Sequence, residues 1–385
     1  MSGRANARRT HTFSESVIRA MTRLANQHGA INLAQGFPDF PMPQAMKDAA
    51  TAAIQGDINQ YATTWGAKKL RDAICAKYQG RYGMTVDPER EITVTCGATE
   101  AAASVFLALL NPGDEVLIFE PFYENYGPDA ILCDAVPVFV PLIPPDWRFD
   151  AEILERAITP RTRALMLNSP HNPTGHVFSR GELTAIADIC IRHDLFVITD
   201  DPYEYIIFLG EHIPIATLPG MAGRTVTISS LSKTFSCTGW RLGYAIASPE
   251  RTEAIRKVHD FLTVGAPAPL QDAAAVGYGF GDDYYRQLSR DYLSRRDYLG
   301  SALRTAGFQF AEPDGAYYFF ANFSAISKLE DVAFATWLTE TIGIATVPGS
   351  SFYRPGGADG KRYTRFAFCK KRETLERAVD RLARL

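Results

Sequence analysis

A chain of 385 residues, 46% of them hydrophobic, can bury a large core and, at ordinary domain sizes, should form about two lobes. Forty basic residues against 43 acidic leave a net charge of -3, which supplies no field for holding nucleic acid or an anionic membrane. The six cysteines (Cys75, Cys96, Cys133, Cys190, Cys237, Cys369) follow no metal-ligand spacing, so no metal site is expected and the thiols read as reduced.

In chain order, the basic start "MSGRANARRTHTF" has no apolar h-region behind it, and no run of roughly eighteen apolar residues follows anywhere, which predicts a cytoplasmic protein. A helix is predicted near 14 to 28. Short apolar runs then alternate with longer amphipathic stretches. "EITVT" (91 to 95), "EVLIFE" (115 to 120), "VPVFVPL" (136 to 142), "ALMLN" (164 to 168), "LFVITDD" (195 to 201), "TVTISS" (225 to 230) and "GYAIAS" (243 to 248) read as strands. Helical stretches at 98 to 110 and 180 to 193 lie between them, the pattern of a mostly parallel, helix-flanked sheet. From about 305 the strands shorten ("AYYFFANF", "YTRFAFC") and helices are predicted at 331 to 341 and 372 to 384, an α+β texture shared with the N-terminal helix.

In such sheets ligands bind beyond the carboxyl ends of the strands, so the polar residues there matter most. After the first strand, Gly97 ends the run and Ala98 and Thr99 open a helix whose free amides and dipole suit a phosphate, or form an ordinary turn and cap. Tyr123 in "PFYENYGP" can lie against a planar ring or simply pack. Two X-Pro steps in "LNSPHNPTG" hold Asn172 in an extended loop where its amide can donate, although a proline-rich turn has the same look. Asp200 closes an apolar strand, a costly place for a carboxylate without a cation; Asp201 reads as a solvated neighbour, and Tyr203 offers a phenol. "SSLSK" then sets Ser229, Ser230 and Ser232 before Lys233, whose amine is a useful nucleophile only if a shielded, cation-crowded site keeps it partly neutral; Arg241 is one such cation. Arg365, among aromatic and small residues in "YTRFAF", needs an anion, either a ligand or an internal acid.

The order and spacing of these motifs, from "INLAQGFPDFP" (31 to 41) through "NQYATTWGAKKLRDAI" (59 to 74) to "YTRFAFCKK" (363 to 371), resemble the fold type I, class I pyridoxal 5'-phosphate (PLP) aminotransferases. The resemblance is strongest to the kynurenine aminotransferase, glutamine transaminase K and methionine aminotransferase branch. It implies an α/β fold: a large PLP-binding domain with a mostly parallel seven-stranded sheet, and a smaller α+β domain built from the N-terminal segment and the C-terminal part. The implied division is 1–45, 46–300 and 301–385. It implies that Lys233 is the catalytic Schiff-base lysine, that Asp200 pairs with the ring nitrogen, and that Asn172 and Tyr203 hydrogen-bond the ring oxygen under a stacked Tyr123. Gly97, Ala98, Thr99, Ser230 and Arg241 would hold the phosphate, with Tyr61 reaching over from a second subunit of a homodimer. Arg365 would hold the substrate α-carboxylate, in a corner shaped by Gly36 and Asn172.

The expected reaction is transfer of an amino group from an L-α-amino acid to a 2-oxo acid such as 2-oxoglutarate or pyruvate. Phe37, Tyr61, Trp65, Phe352 and Tyr353 either lie near the substrate end, favouring a large neutral or aromatic side chain, or are ordinary core, and no motif places a second arginine there. Lys68, Lys69, Pro202 and the "TWG" run depart from the branch and leave substrate identity open. Alternatives on the same cofactor residues are cysteine-conjugate β-elimination, amino-acid oxidation and decarboxylation. A more distant one is a non-catalytic PLP-binding regulator.

Overall fold

The apolar runs fold as strands of one sheet in the computed structural model, which describes residues 7–13 and 15–385. The strand order is Ile92–Thr95, Gly243–Ile246, Thr225–Ser230, Phe196–Asp200, Thr162–Asn168, Glu115–Glu120, Val136–Ile143 and Arg148–Phe149. Strands from Thr225–Ser230 to Val136–Ile143 pair in parallel, whereas Gly243–Ile246 is antiparallel to both neighbours. Arg148–Phe149 adds an eighth, antiparallel edge to the seven expected strands. With two residues it is too short for any periodicity to announce it.

Successive residues of the central strands feed two different cores, because both sheet faces are covered. Val116, Ile118, Met166, Ile198 and Ile228 pack on one side, and Leu117, Phe119, Leu165, Leu167 and Val197 on the other. That double burial is why these strands read as unbroken apolar runs rather than alternating ones. The covering helices include Ala98–Leu109 and Arg180–Arg192. The second starts at a reciprocal cap in which the Ser179 hydroxyl accepts from the Glu182 amide and the Glu182 carboxylate accepts from the Ser179 amide.

Toward the C-terminus, Tyr318–Asn322 pairs antiparallel with Tyr363–Ala367, setting Phe320 opposite Arg365, and Val347–Pro348 flanks the latter strand. Ile31–Asn32 runs parallel to Ile344–Ala345, so the N-terminal chain is stitched into the C-terminal part. Leu33, Phe319, Phe334 and Phe368 form the core here, joined by Tyr292, Leu299 and Leu303 of the helix Asp282–Thr305. That helix runs unbroken through positions 300 and 301. The helix expected at 331 to 341 is α-helical over Asp331–Trp337 and widens to a π turn over Leu338–Ile342, ended by Gly343 in the left-handed region. Among the described residues, no helix is long and apolar enough to cross a membrane.

Register fixes what meets at the rim of the large sheet. Asn168 lies beside Asp200, and Gly243 lies between Thr95 and Ser230. One edge therefore carries Thr95, Ser230, Asp200 and Asn168, at the strand carboxyl ends where open α/β sheets bind ligands.

Candidate active site

A cavity of about 410 Å³ opens at this rim. Lys233, Asp200, Tyr203, Ser230, Arg241 and Asn172 line it, together with Ala98, Thr99, Tyr123, Gly36 and Arg365. Gly97 lies just behind Ala98, and Tyr61 lies outside, 86% exposed. A larger cleft of about 900 Å³, beside Trp65 and Arg256, holds none of these residues.

Lys233 follows the strand Thr225–Ser230, and its Nζ donates to the Gly36 carbonyl at 3.3 Å. Burial lowers its pKa to about 8; Cys369 and Asp200 oppose the fall, and the Arg241 and Arg365 charges add to it. The amine is thus poised to exchange its proton near neutrality.

Asp200 is buried at the end of its strand, with Oδ2 accepting from the Tyr126 hydroxyl at 2.7 Å and Oδ1 lacking any partner among the described residues. Burial raises its pKa to about 6, against the Tyr126 hydrogen bond and the Lys233 charge. Asn168 Nδ2 donates to the Asp200 carbonyl at 2.5 Å while its Oδ1 accepts from the Asn172 amide at 2.7 Å, tying the strand end to the Asn172 loop. Asp201 is not the solvated neighbour expected. The strand is covered on both faces, so the next residue points into a second interior, where Asp201 accepts from Thr199 at 3.0 Å. Burial and the nearby Glu204 charge push its pKa well up.

The helix Ala98–Leu109 points its first amides at the cavity, without partners inside the helix. Gly97 has φ of +83°, and a Cβ there would run into the Arg241 guanidinium, so the turn requires glycine. Arg241 donates to the Thr238 and Cys96 carbonyls, at 3.1 and 3.5 Å. Among the described residues no carboxylate pairs with it, which leaves its charge for an anion beside the amides and the Ser230 hydroxyl.

Arg365 is 1% exposed. Nη1 donates to Asn172 Oδ1 and Nη2 to the Ala34 carbonyl, both at 2.8 Å, while Nε has no partner among the described residues. The guanidinium stacks on Tyr318 at 4.2 Å and Phe352 at 4.9 Å, and among the described residues no internal acid pairs with it. Tyr318 and Tyr203 share a hydroxyl hydrogen bond of 2.9 Å, and Tyr317 donates to the Gly36 carbonyl at 2.8 Å. A Cβ on Gly36 would strike the Tyr318 hydroxyl, so this close approach also requires glycine.

Several lining residues were not expected from sequence. Tyr126 opens the helix Tyr126–Leu132 three residues beyond Tyr123, and Asn168 closes an apolar strand as Asp200 does; those are the only local signals. Tyr318, on the lining, and Tyr317, behind it on the Gly36 carbonyl, are indistinguishable from core in an aromatic run. The helix Val17–Gln27 sets Ile18 and Arg19 along one side, with its cap Ser16. Of the aromatics expected near substrate, Phe37 lines the cavity and Phe352 backs Arg365. Trp65 does not: its carbonyl is held by the Val94 amide and its ring lies 4.8 Å from the Arg256 guanidinium in the other cleft. Tyr353 packs toward Phe320 instead.

A family model described as aminotransferase class I and II matches residues 28–382. A probable N-succinyldiaminopimelate aminotransferase of Mycobacterium tuberculosis is 41% identical, over 97% of this chain and 97% of that protein. Methionine aminotransferase of Escherichia coli is 37% identical over 96% of each. The solved N-succinyldiaminopimelate aminotransferase of M. tuberculosis superposes with a TM-score of 0.96, covering 98% of this chain and 99% of that one.

Proposed function

Because the chain belongs to the class I and II aminotransferases, and is a PLP-dependent transaminase, we propose that Lys233, Asp200 and Arg365 are its working residues. The amino donor is an L-α-amino acid with a large neutral or aromatic side chain, and the acceptor is a 2-oxo acid such as 2-oxoglutarate or pyruvate. One observation above all supports the assignment: Asp200 Oδ1 is buried without a partner in the cavity that Lys233 also lines. Such an atom is costly unless a ligand cation meets it.

PLP, when bound, supplies a carbonyl electrophile and a conjugated ring that accepts the electron pair of the substrate Cα–H bond. Asp200 would hold the protonated ring nitrogen. Ser230, Arg241 and the Ala98 and Thr99 amides, at the Gly97 turn, would grip the phosphate. Asn172 and Tyr203 would bond the ring oxygen beside Tyr123. Arg365 takes the α-carboxylate beside Asn172 and Gly36, fixing Cα within reach of Lys233. Lys233 Nζ would move the proton between the substrate Cα and the carbon of the cofactor's carbonyl, in one direction with the amino acid and in the other with the 2-oxo acid; a pKa near 8 suits both directions.

The enzyme is proposed to be a cytoplasmic homodimer with shared sites, in which Tyr61 serves the phosphate of the other subunit. Tyr61 at 86% and Phe261 at 92% exposure support an apolar surface that a second copy covers, and all six cysteines are free thiols. The proposed division of the chain is 1–45 and 301–385 around 46–300. An active monomer in sedimentation would contradict the shared site. The reaction is tested by giving the PLP-loaded protein a panel of amino acids with 2-oxoglutarate. Glutamate without ammonia is expected; ammonia with pyruvate, or with peroxide, would mean elimination or oxidation instead.

A further inference from the structure

One buried cation beside the cavity is turned to main-chain carbonyls and not to an acid. Lys370 is 2% exposed, and its Nζ donates to the Gln35 carbonyl at 3.2 Å and to the Phe37 carbonyl at 2.9 Å. The same Nζ lies 4.3 Å from the centre of the Phe37 ring. Between those two carbonyls, the Gly36 carbonyl accepts from Tyr317 at 2.8 Å and from Lys233 at 3.3 Å. Gln35, Gly36 and Phe37 line the cavity, and Lys370 stands behind them. Among the described residues no carboxylate pairs with Lys370; Asp39 is taken by the Lys371 amide at 2.5 Å and the Thr374 hydroxyl at 2.6 Å. The main chain of Lys370 is itself fixed, its amide donating to the Phe368 carbonyl at 2.8 Å and its carbonyl accepting from Arg295 Nε at 2.9 Å. A buried charge without a counter-charge is costly, and an apolar side chain of the same length would fill the space at less cost. What the ammonium adds is a simultaneous hold on the backbone and the ring of Phe37.

We propose that Lys370 is a positioning residue for the amino donor: by holding the Phe37 ring and backbone together, it sets the wall on which a large neutral or aromatic side chain packs. This inference rests on the aminotransferase reading and names the residue behind its side-chain preference. Of the aromatics expected near the substrate end, Phe37 is the one on the lining. It follows a glycine, whose backbone freedom would otherwise let the ring swing out of the cavity. The proposed resting state commits Lys233 to the cofactor and leaves the Gly36 carbonyl to Tyr317, so Lys370 is the cation that goes on holding this loop. Lys370 leaves the strand Tyr363–Ala367, which carries Arg365. One segment thereby sets both the α-carboxylate contact and the wall, which fixes their separation.

The test uses the PLP-loaded protein and two unreactive acids, propanoate and 3-phenylpropanoate, which differ by a phenyl ring. Calorimetric titration of the wild-type protein is expected to give at least roughly tenfold tighter binding of 3-phenylpropanoate. Lys370→Met keeps the stem and removes the donors. It is expected to weaken 3-phenylpropanoate about five- to tenfold, to leave propanoate within about twofold, and in turnover with pyruvate to raise KM for phenylalanine with little change in kcat. Lys370→Arg is expected to lie between wild type and Lys370→Met, because its planar fork cannot keep both carbonyls and the ring contact. Phe37→Ala is expected to abolish the preference, and adding Lys370→Met to it to change neither affinity further. Equal loss for both acids, a preference that survives Lys370→Met, or a further loss in the double variant would overturn the proposal. If Lys370→Met does not fold, Lys370→Arg decides, and a preference equal to that of wild type overturns it. Wild-type transamination between methionine and pyruvate separates the two readings. No turnover there sinks the aminotransferase assignment, whereas turnover with a preference indifferent to Lys370 sinks only the role of Lys370.

Discussion

At Asp200 the needs of folding and of the proposed cofactor binding pull in opposite directions. Burial moves its pKa from 3.8 to about 6, so the folded apoprotein holds a proton there that the unfolded chain has released. The resulting cost is absent below about pH 4, grows between 4 and 6, and is complete above 6. Asp200→Asn keeps an acceptor for Tyr126 and removes the charge. The apoprotein variant is therefore expected to be more stable than wild type by about 1–3 kcal/mol at pH 7 to 8, with the advantage gone below pH 4. Urea unfolding of the two apoproteins across that range checks this, and a variant less stable at every pH would contradict it. The same variant is expected to bind PLP more weakly, since the ring cation loses its counter-charge. The liability at Asp200 is legible in the sequence because a carboxylate closing an apolar run has no local excuse. Arg19 is not legible, because an arginine near the start of an amphipathic helix looks like solvated surface until the fold turns it toward a cavity.

The strand end that carries Asp200 and Tyr203 is braced from behind by a helix. Asp200 and Tyr203 face the cavity, whereas Glu204 points into the second interior. There its carboxylate meets Lys77 Nζ and accepts from the Tyr82 hydroxyl at 2.6 Å and from Ser229 at 3.1 Å. Lys77 also donates to the Tyr244 hydroxyl at 2.7 Å, and the side chains of the pair are each 3% exposed. Lys77→Met leaves a buried carboxylate without its cation and is expected to cost about 3–5 kcal/mol in urea unfolding. Lys77→Met combined with Glu204→Gln is expected to recover most of that loss, and a single variant costing under about 1 kcal/mol would show that the pair is not a brace. Nothing in the helix Lys68–Tyr82 announces this role, because Lys77 and Glu204 are separated by 127 positions and local periodicity reports faces, not partners. Six of the seven longer strands of the large sheet were legible for the complementary reason, since burial on both faces is written into each run itself; Val136–Ile143, exposed at several positions, was legible only from its apolar composition. Trp65 and Tyr353 show the limit of motif adjacency: both sit within recognisable motifs, yet backbone hydrogen bonding and packing take their rings elsewhere.

Across the whole molecule, three separate parts of the chain converge on one cavity. Strand ends of the large sheet supply Asp200, Ser230 and Lys233, the C-terminal sheet supplies Arg365 from opposite Phe320, and the N-terminal segment supplies Gly36 and Arg19. The parallel pairing of Ile31–Asn32 with Ile344–Ala345 fixes the last two groups relative to each other, so under the proposed assignment the α-carboxylate contact comes from one sheet system and most cofactor contacts from the other. The chemistry assigned to this arrangement depends on a single amine. Borohydride reduction of the PLP-loaded protein, followed by peptide mapping, tests it most directly. The expected result is a stable pyridoxyl group on Lys233 and on no other lysine, with loss of activity in proportion to labelling. A label on Lys77, on Lys370 or on no lysine at all would contradict the assignment of Lys233.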